Sequence, residues 1–178
     1  MNYKYEAPIL IEPLIHGDQR GYFFEPYNRE TFRNKWNIEE DFVQDNESFS
    51  RRGVLRGLHY QIQQSQGKLV RVVRGSVFDV VVDLRRASPT FGEWVGAELS
   101  EENNRQFWIP PGFAHGFLVT SDSADFLYKT TDYYAPEHER SLAWNDPDVG
   151  VAWPLDAAPL LSAKDLAGKP LGECETFP

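Results

Sequence analysis

The chain is short of cysteine, of basic charge and of long apolar runs. Its one cysteine, Cys174, cannot close an internal disulfide, so nothing in the sequence demands an oxidising compartment. No apolar stretch approaches the ~20 residues that cross a bilayer as a helix. The opening residues Met1-Asn2-Tyr3-Lys4-Tyr5-Glu6 lack the basic and apolar regions of a secretion signal. Lys and Arg number 18 against 27 Asp and Glu, a formal net charge of −9. That sign disfavours nucleic acid, whose affinity rests on neutralising phosphates, yet a local group of arginines can still receive a small anion. There is no Walker loop and no Gly-x-Gly-x-x-Gly, and no Gly-x-Ser-x-Gly elbow for a nucleophile. These absences predict a soluble, cytoplasmic protein with no membrane and no nucleic-acid partner. The 178 residues are expected to form one domain, 1–178.

What the chain does have is aromatic and β-branched residues, in short runs divided by turn signals. Aromatics make up 14% of it. The pattern predicts strands over Ile9–Ile15, Gly21–Pro26, Phe42–Phe49, Val54–Gln61, Leu69–Val73, Val77–Leu84, Trp94–Leu99, Gln106–Ile109, Gly116–Thr120 and Phe126–Thr131. Arg52-Gly53, Arg74-Gly75, Ser88-Pro89, Pro110-Pro111-Gly112 and Asp122-Ser123 separate them. Such spacing implies an all-β antiparallel sandwich or barrel. Val77–Leu84 is nearly all apolar and should be a central strand. Short helices are expected at Arg29–Lys35, capped by Asn28, and near Ser162–Leu166, capped by Ser162. The last twenty or so residues read as a strap rather than a separate unit.

The richest segment is Val54-Leu55-Arg56-Gly57-Leu58-His59-Tyr60-Gln61. On a regular strand Arg56 and His59 would face opposite sides. Gly57 lies between them, and a glycine in a strand often marks a bulge or a close backbone approach. A bulge there would turn both side chains towards one cavity. An imidazole with an ordinary pKa near 6.5 is available as a neutral base at pH 7. It needs an orienting carboxylate, and Asp79, Asp83 and Asp165 are the candidates. Lys68 opens a strand; such a lysine is ordinarily solvated, but turned inward it could hold an oxyanion. Tyr128, Tyr133 and Tyr134 offer a phenolic acid and a ring that stacks, against the plain alternative of packed strand aromatics. Arg20, Phe23 and Glu25 combine a phosphate partner, an aromatic and a carboxylate on one hairpin. The four histidines, His16, His59, His115 and His138, show no closely spaced pair. A metal site would require His59, His115 and Glu98 to converge, and a metal is disfavoured.

Taken in order, these segments resemble the dTDP-4-dehydrorhamnose 3,5-epimerase family over nearly the whole chain. The likeness rests on Asp18–Glu25, Gln44-Asp45-Asn46, Arg56–Gln61, Gly67-Lys68, Pro110–Phe117, Tyr128–Tyr134, Trp144–Pro147 and Leu161–Asp165. The resemblance implies a cupin-type jelly roll, a homodimer, and neither metal nor cofactor. It also implies His59 as general base, Asp165 as its partner, Tyr128 as general acid and Lys68 as the cation beside the C4 oxygen. Arg56 and Lys164 would lie around the diphosphate and sugar. Gln44, Asp45, Asn46, His115 and Glu139 would bind substrate elsewhere, and Tyr134 would stack on thymine. Arg20, Phe23 and Glu25 would reach the nucleotide from the partner subunit. The implied activity is inversion at C3 and C5 of a dTDP-4-keto-6-deoxyhexose through an enolate. The competing readings are a relative inverting one centre only and a non-catalytic cupin that binds a nucleotide sugar.

Overall fold

The computed structural model describes residues 7–178. Its strands are β1 (Ile9–Ile11), β2 (His16–Asp18), β3 (Gly21–Phe23), β4 (Gln44–Arg51), β5 (Leu55–Gln61), β6 (Lys68–Arg74), β7 (Ser76–Asp83), β8 (Trp94–Ser100), β9 (Gln106–Ile109), β10 (Phe113–Val119), β11 (Ser123–Thr130) and β12 (Glu139–Ser141). The helices are α1 (Arg29–Trp36) and α2 (Ala163–Leu166), with 3-10 turns at Pro136–His138 and Leu171–Glu173. One five-stranded sheet runs β1-β9-β6-β11-β4 and a second runs β12-β5-β10-β7-β8; β2 and β3 form a separate hairpin. All strand pairs within them are antiparallel.

The sheets close face to face because each strand turns alternate side chains inward. Val70 and Val72 of β6, Phe107 and Ile109 of β9, and Phe126 of β11 meet Val77 and Val81 of β7, Leu99 of β8 and Phe117 of β10. The Phe117 and Phe126 rings stack at 4.2 Å between centroids. Each large side chain so buried contributes roughly 1.5–3 kcal/mol. The result is the cupin-like β-sandwich that the resemblance implied.

Two further layers enclose the sandwich. The outer face of the second sheet carries Leu58, Tyr60, Val80 and Val82, which are covered by Leu142, Val149 and Cys174. The chain end holds that cover as a strap: Phe177 N–H donates to the Leu84 carbonyl, and the Tyr60 hydroxyl donates to the Glu175 carbonyl at 2.6 Å. β7 is therefore buried on both faces, which explains its nearly unbroken apolar sequence. On the first sheet's outer face, Phe32 of α1 packs with Ile11, Ile38, Leu69 and Trp108. Asn28 caps α1 by accepting from Thr31 N–H, and Asn37 ends it in the left-handed region at φ 55°.

Most expected strands stand within two residues of their observed ends. The predicted strand Ile9–Ile15 is cut short at Ile11, where Glu12-Pro13 follows and proline interrupts the ladder. β10 begins at Phe113, three residues before the predicted Gly116, because Phe113–His115 pair with Asp83–Val81. β12 has no sequence signal; its polar residues are held by backbone pairing to Gln61, Tyr60 and His59.

Candidate active site

A cavity of about 360 Å³ draws its walls from both sheets. β5 supplies Arg56 and His59, and β10 supplies His115. The inward-facing Gln44, Asn46 and Ser48 of β4 join Lys68 of β6 and Tyr128 of β11. Tyr134, Glu139 and Lys164 close the rim.

Arg56 and His59 share this cavity because β5 is bulged. Across from it, His115 pairs with His59 and Phe117 with Arg56, so three steps on β5 face two on β10. Gly57 makes the bulge possible. It sits at φ +113°, and a Cβ there would lie 2.6 Å from the Gly116 Cα. The glycine reading from sequence holds in both its parts, bulge and close approach.

Of the three carboxylates considered for His59, Asp165 is the partner. Its Oδ1 lies 2.8 Å from His59 Nε2, off the line of the ring N–H. Asp79 instead pairs with His115 Nε2 at 2.9 Å, and Asp83 is taken up by Arg85, Ser88 and Thr90. Asp165 is the third residue of α2. Its Oδ2 accepts from both the backbone N–H and the hydroxyl of Ser162, whose own hydroxyl accepts from Asp165 N–H. Oδ1 also accepts from Gly57 N–H at 3.0 Å. One carboxylate therefore ties the helix cap, the bulge and the imidazole together.

The electrostatics follow from burial and neighbours. Burial raises the Asp165 pKa, but the bonds from His59, Ser162 and Gly57 outweigh it and hold the carboxyl well below the usual range. His59 is pushed down chiefly by burial, against the bond to Asp165, and Lys164 and Lys68 push it further. It is therefore neutral at pH 7. Burial also lowers Lys68, to about 8, although Asp79 and Glu139 favour its charge. Tyr128 is raised by burial, against the pull of Arg56, and stays protonated. Such divergent shifts among neighbours in one cleft suit acid–base chemistry.

Around this core, Arg56 is fixed by its Nε donating to Ser50 Oγ at 3.0 Å. Gln44 donates to Asn46 Oδ1 at 2.8 Å and accepts from Tyr134 N–H. Glu139 accepts from the Tyr134 hydroxyl at 2.8 Å and pairs with Lys164.

Four expected residues lie elsewhere. Asp45 is turned away: strand alternation sends its exposed side chain to the outer face of β4, where it pairs with Lys129 at 2.9 Å. Arg20, Phe23 and Glu25 lie outside this cavity. Arg20 pairs with Asp18 on the β2–β3 hairpin, Phe23 is 67% exposed, and Glu25 accepts from Asn28. Glu98 is exposed on the edge strand β8, and the described residues contain no group of three His, Cys, Asp or Glu able to hold a metal. Ser48, Gln66, Phe117 and Phe126 also line the cavity and were not singled out from sequence. For Ser48 the signal was available, because Gln44, Asn46, Ser48 and Ser50 alternate along one strand.

The chain is similar to known proteins over nearly its whole length. A sequence profile of the family described as dTDP-4-dehydrorhamnose 3,5-epimerase matches residues 3–173. A dTDP-4-dehydrorhamnose 3,5-epimerase of Pseudomonas aeruginosa is 62% identical over 170 residues, 96% of this chain and 94% of that one. The solved structure of a dTDP-6-deoxy-D-glucose-3,5-epimerase from Legionella pneumophila, in complex with dTDP-4-keto-L-rhamnose, is 54% identical. It superposes with a TM-score of 0.93 over 98% of this chain and 93% of that one. A 3'-monoepimerase from Streptomyces bikiniensis, in complex with dTDP-quinovose, is 39% identical with a TM-score of 0.87, over 96% of this chain and 86% of that one.

Proposed function

The chain belongs to the dTDP-4-dehydrorhamnose 3,5-epimerase family, and we propose that it inverts C3 and C5 of dTDP-4-dehydro-6-deoxy-D-glucose, giving dTDP-4-dehydro-L-rhamnose. One observation carries this reading to the residues: the His59–Asp165 pair at 2.8 Å opens into the same cavity as Lys68 and Tyr128.

The chemistry follows from the residue types. The C4 carbonyl acidifies C3–H and C5–H. With Nε2 engaged by Asp165, His59 takes a proton through Nδ1. Lys68 as ammonium stabilises the enolate oxygen. Tyr128, protonated, returns a proton to the opposite face and so inverts the centre. A single group working on one face would only restore the starting configuration. General acid–base catalysis contributes roughly 10²–10⁴-fold, so enolate stabilisation by Lys68 supplies much of the remainder.

Arg56 and Lys164 bind the diphosphate and sugar. Gln44, Asn46, His115 and Glu139 bind the substrate elsewhere in the cavity, and the Tyr134 ring stacks on thymine. Arg20, Phe23 and Glu25 act on the nucleotide in a second copy of the chain, which fits an exposed hairpin lying outside its own cavity. The higher identity to two-centre than to one-centre enzymes favours double inversion.

The test is proton NMR of dTDP-4-dehydro-6-deoxy-D-glucose with the protein in D2O. Deuterium at both C3 and C5 is the expected result. Deuterium at one carbon would establish a single-centre epimerase, and binding without exchange would establish a non-catalytic nucleotide-sugar module.

A further inference from the structure

The inward face of β4 is a row of four polar side chains, Gln44, Asn46, Ser48 and Ser50. Three have work within the protein: Gln44 and Asn46 bond each other, and Ser50 holds Arg56. Ser48 has none. Its Oγ has no hydrogen-bond partner and almost no accessible surface while the residue lines the cavity, so a rotation about χ1 is what would present the hydroxyl to a ligand. A hydroxyl carries one donor and two acceptor sites, and leaving it unpaired costs about 1–3 kcal/mol. Its strand neighbour across the ladder is Phe126, which offers no polar atom. A buried orphan of this kind requires an explanation, and a group delivered by the ligand supplies one.

Register says which group. On one side of Ser48 is Asn46, paired with Tyr128, the acid at the reacting carbon. On the other side is Ser50, which fixes Arg56, the diphosphate partner. Ser48 therefore sits between the anomeric end of the sugar and an inverted carbon. C2 joins C1 to C3 and the ring oxygen joins C1 to C5; of the two, only C2 bears a hydroxyl, which can both donate and accept. From this placement we infer that Ser48 is a specificity-determining residue that hydrogen-bonds the C2 hydroxyl of the sugar and so selects 2-hydroxy over 2-deoxy substrates. The inference rests on the function proposed above.

The experiment crosses two changes. The wild type and Ser48→Ala are each given dTDP-4-dehydro-6-deoxy-D-glucose and its 2-deoxy counterpart, and deuterium uptake at C3 is followed in D2O. The wild type should lose about tenfold in kcat/KM on the 2-deoxy sugar. Ser48→Ala should lose about as much on the 2-hydroxy sugar, and the 2-deoxy sugar should cost it nothing further. Ser48→Thr, which keeps the hydroxyl, should restore the preference. Ser48→Cys, near in size and a poor donor, repeats the test if the alanine variant fails to fold. Losses that simply add would overturn the inference, as they would if Ser48 met the ring oxygen instead. Equal rates of wild type and Ser48→Ala on both sugars would overturn it too. No exchange by the wild type on the 2-hydroxy sugar would overturn the parent function and this inference together; exchange with additive losses overturns this inference alone.

Discussion

Replacing Asp165 by asparagine separates the two duties of one carboxylate. In the native site Oδ1 lies 2.8 Å from His59 Nε2 and accepts from Gly57 N–H at 3.0 Å, and Oδ2 accepts from the Ser162 hydroxyl at 2.6 Å and its N–H at 3.1 Å. An amide has one oxygen. Whichever way it turns, its NH2 faces a backbone donor, that of Gly57 or of Ser162. One buried donor left unmatched costs about 1–3 kcal/mol, and loss of the charged cap adds about 1 kcal/mol. Asp165→Asn should therefore destabilise by roughly 2–4 kcal/mol, or several degrees of Tm. It also removes the anion that orients His59 and stabilises its protonated form, so C–H exchange should slow by about 10²–10⁴-fold. Ser162→Ala is the control. It deletes the capping hydroxyl and costs about 1 kcal/mol, but the Ser162 N–H and the His59 contact remain, so exchange should fall by less than about tenfold. The assays are thermal unfolding and deuterium uptake from D2O, run on both variants. Wild-type exchange rates in Asp165→Asn, with stability lost, would refute the reasoning by reducing Asp165 to a helix cap.

Two other predictions follow from the geometry. The rate of exchange should be bell-shaped in pH. The acid limb reports protonation of His59 and lies below 6.5, because burial lowers its pKa. The alkaline limb reports loss of the Lys68 ammonium at about 8, while Tyr128, raised, remains protonated across the range. A rate still level above about pH 9 would remove Lys68 from its role at the oxyanion. Gly57→Ala should destabilise by about 2–5 kcal/mol, through the left-handed φ of +113° and a Cβ placed 2.6 Å from the His115 carbonyl oxygen. Urea unfolding measures it, and a wild-type midpoint would mean that the bulge tolerates a side chain.

The fold was legible wherever one physical rule acted alone. Val77–Leu84 reads as central because both its faces are covered, and a strand with two apolar neighbours needs no polar side. The helix caps Asn28 and Ser162 were readable because a short side chain at a helix start has one obvious use. β12 was not readable, since its three polar residues are strand only through partners on β5 that lie far away in sequence. For the site, residue types pointed to Arg56, His59, Lys68 and Tyr128, and the bulge that unites the first two was foreshadowed by Gly57. Pairing was another matter. Asp79, Asp83 and Asp165 are equivalent as letters, and only the crossing of β7, β10 and α2 assigns them to His115, Arg85 and His59. The alternation of β4 would have shown in advance that Asp45 faces away while Gln44, Asn46 and Ser48 face in.

The two sheets have a stereochemical meaning. His59 comes from the second sheet, on β5, while Lys68 and Tyr128 come from the first, on β6 and β11. Facing sheets stand about 10 Å apart, enough for a flattened sugar ring to lie between them with one layer above and one below. On the proposed roles, a proton removed by one layer and returned by the other must arrive on the far side of the ring. Handedness is thus assigned by strand topology before any side chain is adjusted. Moving the acid along its own strand would change which carbon it reaches, whereas moving it to the opposite sheet would convert an inverting device into one that only exchanges isotope.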